Sequence, residues 1–142
     1  MKSHPNRRQF ITGAAALGAA AMVPGARADH HGETSGKVEL PKLTHTVFFW
    51  LKNPDSQEDR DKLIEGLQTL RQIETVRGLH IGVPASTEKR EVVDNSYQVS
   101  ELMLFDSVED QDAYQVDPIH KKFVDEYAHL WRKVVVYDSL SV

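Results

Sequence analysis

The segment Leu43–Lys52 limits the fold of this chain more than any other part of its sequence. It reads LTHTVFFWLK, a run of β-branched and aromatic residues that ends before Asn53-Pro54, and it predicts a first strand. Neighbouring side chains of a strand point to opposite faces of the sheet. One face then carries His45, Val47, Phe49 and Leu51, and the other carries Thr46, Phe48 and Trp50. Both faces are too apolar to be left in contact with water.

A later segment, Tyr97–Phe105, also predicts a strand and repeats this pattern. Its two faces carry Val99, Met103 and Phe105 on one side, and Leu102 and Leu104 on the other. A sheet with two apolar faces must be covered on both sides. The helices that the sequence predicts can cover only one of these faces. Since a large exposed apolar face is typical of an interface or a ligand groove, we predict a homodimer. Two sheets that meet about a two-fold axis would enclose a lined space, for which a filled core without function is the alternative.

The remaining segments predict an α+β domain with the element order βαββααβ. A serine with an acidic residue three positions later is typical of a helix start, and proline is favoured in a first helical turn. The expected elements are a helix that Ser56 caps and that runs to about Glu74, a strand Leu79–Val83, a helix that Ser107 caps, a helix from Pro118 and a strand Trp131–Leu140. We expect residues 29–42 to be a flexible leader, so the domain covers residues 43–142.

The first 28 residues have the layout of an export signal. They hold four basic residues and no acidic residue, an apolar stretch from Ile11 to Val23, and the triplet Ala26-Arg27-Ala28, which predicts cleavage after Ala28. Residues 6–12, NRRQFIT, resemble the twin-arginine export motif. This resemblance implies that the twin-arginine translocase carries the folded domain out of the cytoplasm, and the general secretion route is the alternative.

The composition of the mature chain narrows its location and its partners. A membrane span needs about 20 apolar residues, and the apolar stretch is shorter, so we expect a periplasmic or secreted protein without a permanent membrane anchor. Cleavage after Ala28 leaves 13 Lys and Arg against 21 Asp and Glu, a net charge of −8, which disfavours a nucleic-acid partner. The sequence has no cysteine, which excludes disulfides, thiolate metal sites and a cysteine nucleophile.

The predicted mature N-terminus offers a metal site. Cleavage after Ala28 makes Asp29 the first residue and His31 the third. A free amine, two backbone amides and the His31 imidazole can hold Cu(II) or Ni(II) in a square plane. The alternative is a polar tether that binds nothing, and a small shift of the cleavage site removes the arrangement. We expect no other cofactor.

Four segments together resemble the stress-responsive A/B barrel family. They are His45–Lys52, Glu101–Ser107, Tyr114 with Asp117–His120, and Val134–Asp138. The resemblance covers about Leu43 to Leu140, which is nearly all of the predicted domain. It implies a ferredoxin-like α+β fold that dimerises into a closed β-barrel.

The resemblance also implies candidate site residues. Family members include plant stress-induced proteins with no settled reaction and a plant polyketide cyclase in which a Tyr and a His act together without a cofactor. Those two positions match Tyr114 and His120. The family's usual His before the proline is Asp117 here, which changes the charge expected near the pocket.

These residues suggest a chemistry as well as a packing role. His120 could act as a general base while the Tyr114 hydroxyl orients a carbonyl group, or both side chains could simply pack against the barrel end. His45 would be a third polar group of the pocket or a hydrogen-bonded core histidine. The predicted ligand pocket is lined by His45, Val47, Phe49, Met103 and Phe105.

The sequence therefore predicts an exported homodimer that binds a small apolar or aromatic ligand in its barrel. The first alternative is a cofactor-independent enzyme, such as a cyclase, a lyase or a monooxygenase-like protein, that uses the Tyr/His pair. The second is a structural oligomer whose barrel is filled by side chains.

Overall fold

The computed structural model describes residues 36–142, which form four strands and three α-helices in the predicted order βαββααβ. The elements are β1 Leu43–Leu51, α1 Gln57–Thr69, β2 Gly78–Gly82, β3 Val99–Phe105, α2 Val108–Val116, α3 Pro118–Tyr127 and β4 Trp131–Leu140. The predicted signal peptide and the candidate metal ligands Asp29 and His31 lie outside the described residues.

Each helix begins close to where the sequence predicts. Oγ of Ser56 accepts a hydrogen bond from the backbone N–H of Asp59, and Oγ of Ser107 accepts one from that of Asp110, so both serines are the predicted caps. The helix predicted from Pro118 is capped by Asp117, whose Oδ1 accepts a hydrogen bond from the backbone N–H of Ile119. Helix α1 ends at Thr69 rather than near Glu74, because the chain tightens into a 3₁₀ turn over Leu70–Gln72 and then becomes extended. The local capping pattern therefore locates helix starts better than helix ends.

The four strands form one antiparallel sheet in the order β2-β3-β1-β4. Strand β1 lies in the interior, where it pairs with β3 on one side and with β4 on the other. Strands β2 and β4 are the two edges of the sheet. The first strand of the described chain is therefore a direct neighbour of its last strand.

One face of the sheet packs against the helices and forms the core. The fully buried residues of this cluster include Leu63 and Leu67 of α1, Val99, Met103 and Phe105 of β3, and Leu51 of β1. Helices α1 and α3 approach closely at Gly66, where an added Cβ would lie 2.7 Å from Cδ2 of Tyr127. Full burial of a large apolar side chain stabilises a fold by about 1.5–3 kcal/mol, so this layer dominates stability.

The opposite face of the sheet is apolar as the alternation predicts. Phe48, Leu102 and Leu104 are partly buried there, and Tyr137 is 63% exposed. The Phe48 ring contacts Tyr97 at a centroid distance of 4.8 Å. The three helices described contribute to the core cluster on the other side, so this outer face keeps exposed apolar surface.

Candidate functional site

A cavity of about 130 Å³ lies between the sheet and the helices α2 and α3. Its most buried lining residues are His45, Val47, Phe49, Glu101, Tyr114 and Phe123. Its more exposed lining residues are Gln115, His120, Val124, Trp131, Val134 and Val136. The cavity thus has a floor on the central strands and an open side between β4 and α3, and most of its wall is apolar.

This position differs from the space between two sheets that the sequence analysis predicts. His45, Val47 and Phe49 do line a cavity, but they lie on the face that the helices of the same chain cover. Met103 and Phe105 share that face and are fully buried in the core, away from the cavity lining. The alternation of the strands separates the two faces correctly, but it does not reveal which face the helices cover.

His45 is held by a hydrogen bond across the sheet. Its Nδ1 lies 2.5 Å from Oδ1 of Asp138, the residue opposite it on β4. Only 5% of the His45 side chain is exposed, compared with 48% of Asp138. A carboxylate can only accept this bond, so Nδ1 carries the proton and Nε2 is the ring nitrogen left for another contact.

Tyr114 and His120 are adjacent, as expected of a functional pair. Their ring centroids lie 4.5 Å apart, and the Tyr114 ring also lies 5.8 Å from that of His45. Helix α2 carries Tyr114 and α3 carries His120, and Asp117 joins the two helices as the cap of α3. The proline junction therefore brings both side chains to the same end of the cavity.

The environment sets the proton state of this pair. Burial raises the pKa of the Tyr114 hydroxyl, and the nearby Glu101 carboxyl group raises it further, so Tyr114 is a hydrogen-bond donor rather than a phenolate. Burial lowers the pKa of His120, while its bond to the Gln115 carbonyl oxygen opposes this effect. That bond is 3.2 Å long and fixes the proton on Nδ1, so the neutral ring presents the Nε2 lone pair.

Glu101 is the most unusual group of the cavity. It lies on the central strand β3, opposite Val47 and Ile81, and is 2% exposed. Its Oε1 is buried and makes no hydrogen bond to residues 36–142. Burial raises its pKa to about 8 from an ordinary value of 4.5. At neutral pH this side chain is therefore mostly a neutral carboxylic acid.

The sequence analysis misses Glu101, which lines the cavity, and Asp138, which bonds His45. For Glu101 a local signal exists, because it alternates with Val99 and Met103 and must share their buried face. For Asp138 the signal is not local, because its contact with His45 depends on how β1 and β4 are aligned.

The described residues contain no cluster of metal ligands. Residues 36–142 contain no group of three or more His, Asp or Glu side chains placed to hold one ion. The copper or nickel site proposed at Asp29 and His31 lies before this part of the chain and stays a prediction. No helix among residues 36–142 combines the length and hydrophobicity of a membrane span.

The sequence matches two family models. Residues 43–141 match the model described as the Stress responsive A/B Barrel Domain. Residues 4–24 match the twin-arginine translocation pathway signal sequence. No curated protein matches the chain significantly.

Solved structures with the same fold come from plants and bacteria. A protein of Arabidopsis thaliana is 25% identical, with a TM-score of 0.59 over 70% of this chain and 95% of the other. The hydroxynitrile lyase of Passiflora edulis is 21% identical, with a TM-score of 0.60 over 73% and 96%. A dimeric ferredoxin-like protein of unknown function from Thermobifida fusca is 15% identical, with a TM-score of 0.57 over 74% and 95%. These similarities show that the fold is ferredoxin-like.

Proposed function

Because the chain belongs to the stress responsive A/B barrel domain family and carries a twin-arginine signal sequence, we propose that it is an exported protein that binds a small apolar or aromatic molecule. The observation that carries this proposal is the cavity of about 130 Å³ with a mainly apolar wall. An apolar cavity of about 150 Å³ is large enough to hold benzene. The cavity therefore suits a ligand with about one aromatic ring.

Three buried polar groups lie in the wall of this space. His45, Tyr114 and Glu101 all line it, and each is buried. Binding sites for small molecules typically combine apolar walls with a few polar groups that orient the ligand. We expect the ligand to place its ring against Phe49, Phe123 and Trp131 and its polar atom near these three groups.

The proposal includes a location and an assembly. The signal sequence supports export by the twin-arginine translocase, with cleavage near Ala28 and a periplasmic or secreted mature chain. The outer face of the sheet, with Phe48, Leu102 and Tyr137, supports a homodimer in which a second copy covers this surface. The Thermobifida fusca protein of the same fold is dimeric. In such a dimer each chain keeps its own cavity.

Blocking the open side of the cavity is expected to weaken ligand binding strongly. Val136 lies at that side and is 46% exposed, so a Trp there can fill the opening without disturbing the core. We expect the Val136→Trp variant to bind α-methylstyrene, a one-ring hydrocarbon, at least ~10-fold more weakly than the wild type, measured by saturation-transfer NMR. The control is Val92→Trp, since Val92 is 80% exposed and does not line the cavity. Absence of binding to the wild type, or equal binding to all three proteins, contradicts the proposal.

A second candidate function is proton transfer without a cofactor. It is favoured by the contact of Tyr114 with His120 at the end of the cavity. Nε2 of His120 would remove a proton from a carbon next to a ligand carbonyl group, and the Tyr114 hydroxyl would donate a hydrogen bond to the carbonyl oxygen, where negative charge develops. The imidazolium then exchanges its proton with solvent and returns a proton to the same carbon, so the step needs no oxidant or reductant.

Isotope exchange tests this second function. We expect the protein to accelerate exchange of the methyl protons of acetophenone in D₂O, followed by NMR. Removal of a general base or of a hydrogen bond to the developing charge typically costs about 100-fold or more, so Tyr114→Phe and His120→Gln should each lose most of the acceleration. The exposed His129 lies outside the cavity, and His129→Gln is the matched control. Equal exchange in all four proteins excludes the role of the pair.

A further inference from the structure

A buried carboxyl group without a partner needs an explanation. Burying an unpaired polar group destabilises a fold, and native proteins keep few such groups. Oε1 of Glu101 is buried, finds no hydrogen-bond partner among residues 36–142, and belongs to a side chain that lines the cavity. The carboxyl group therefore has unfilled hydrogen-bonding capacity beside the space that a ligand would enter.

The groups around Glu101 define what it can offer. The titratable groups that line the same cavity are His45 of β1, Tyr114 of α2 and His120 of α3. The Asp138 carboxyl group of β4 lies behind His45 and bonds its Nδ1. No Lys or Arg is among the lining residues that the structure describes. Without a cation nearby, burial dominates and holds the carboxyl group in its neutral form, in which it has an O–H donor.

Two donors then face an apolar space. The Tyr114 hydroxyl and the Glu101 carboxyl group both line the cavity, and both keep their protons at neutral pH. A carbonyl oxygen has two lone pairs and can accept a hydrogen bond from each of two donors. A ligand carboxylate would instead bury a negative charge with no Lys or Arg among the lining residues that the structure describes. A hydrocarbon would leave both donors unpaired.

We propose that the Glu101 carboxyl group is the hydrogen-bond donor that selects the ligand, and that this ligand is a small neutral molecule presenting a carbonyl oxygen on an apolar or aromatic body. This inference rests on the proposed binding function and names the class of ligand: an aryl or alkyl aldehyde, ketone or ester. Glu101 acts here in recognition, and the proton-transfer function does not depend on it.

Three probes of similar shape test the assignment by isothermal titration calorimetry on the mature chain. Acetophenone carries the carbonyl group, α-methylstyrene replaces its oxygen by carbon, and 1-phenylethylamine carries a cation. We expect the wild type at pH 6.5 to bind acetophenone roughly 5- to 20-fold more tightly than α-methylstyrene, and to lose most of this preference at pH 9. The preference falls at high pH because a carboxylate has no proton to donate, which leaves the Tyr114 hydroxyl as the remaining donor.

Two variants separate the donor from other effects. Glu101→Gln keeps an N–H donor that does not titrate, so its preference for acetophenone should persist at both pH values. Glu101→Leu lacks this donor, so it should show the same weak preference for acetophenone at both pH values. If neither acetophenone nor α-methylstyrene binds the wild type, the proposed binding function itself is wrong. If either probe binds while the wild type shows no preference for acetophenone, or Glu101→Leu keeps the full wild-type preference, or the amine binds most tightly, the inference about Glu101 is overturned.

Discussion

Replacement of Phe105 by Ala is expected to lower the free energy of unfolding by about 3–5 kcal/mol. Phe105 is fully buried at the end of β3, and its ring lies 5.3 Å from that of Tyr114 and 6.2 Å from that of His45. Truncation removes a large apolar surface from the core and leaves a cavity beneath two groups of the candidate site. For a domain of this size, such a loss corresponds to a fall in Tm of at least ~12 °C.

Urea unfolding and thermal unfolding measure this effect. The matched control is Phe105→Leu, which keeps most of the volume and should cost less than about 1.5 kcal/mol. The Ala variant should also bind ligand more weakly, because Tyr114 loses the ring on which it rests. A Phe105→Ala variant as stable as the Leu variant would show that the core cluster does not extend beneath the cavity.

The stability of the protein is expected to fall as the pH rises towards 8. Glu101 has a pKa of about 8 in the folded chain, against an ordinary value of 4.5. The folded state therefore binds this proton more tightly than the unfolded state, so stability is greatest below about pH 4.5 and is lost through pH 8. One pKa unit corresponds to about 1.4 kcal/mol. The rise of the pKa from 4.5 to about 8 therefore changes the free energy of unfolding by on the order of 5 kcal/mol over this pH range.

His120 makes the stability of the protein depend on pH in the opposite direction, over a lower range of pH. Burial lowers its pKa below the ordinary value of 6.5, so its contribution to stability is lost as the pH falls through the lowered value. Tyr114, whose pKa is raised, keeps its proton throughout, and above pH 6.5 the slope belongs to Glu101. Ionisation of Glu101 should lower the free energy of unfolding by about 2 kcal/mol between pH 6.5 and pH 8.

Urea unfolding at pH 5, 6.5, 8 and 9 compares the wild type with Glu101→Gln. The variant has no titrating group at this position, so the difference between the two unfolding free energies should change by several kcal/mol in favour of the variant as the pH rises. Parallel curves over this range would mean that the Glu101 carboxyl group is as well solvated in the folded chain as in the unfolded one.

Much of the fold follows from local sequence. The alternation in Leu43–Leu51 specifies a two-sided strand, and the caps at Ser56, Ser107 and Asp117 specify where the helices begin. These signals depend on residues within about four positions of each other, and a single sequence contains them. The end of α1 depends instead on how Ile73 enters the core, which is a tertiary effect.

The candidate site is less accessible to sequence reasoning. The pairing of Tyr114 with His120 comes from the family resemblance, and the short proline junction between their helices permits it. The location of the cavity cannot be predicted from the sequence, since it depends on which sheet face the helices cover. Glu101 is a different case, because a strand pattern places it inside while its charge argues that it should be outside. Such a conflict between pattern and polarity marks a candidate functional residue.

β1 pairs with a strand that lies far from it in sequence. β1 and β4 are neighbours, and His45 contacts Asp138 across 93 positions of sequence. During synthesis β4 can therefore join β1 only after all of the chain between them has been made. A product that stops before Trp131 would leave β1 as an open strand edge, prone to aggregation, and would lack one wall of the cavity. An intact pocket therefore requires that translation continue through β4.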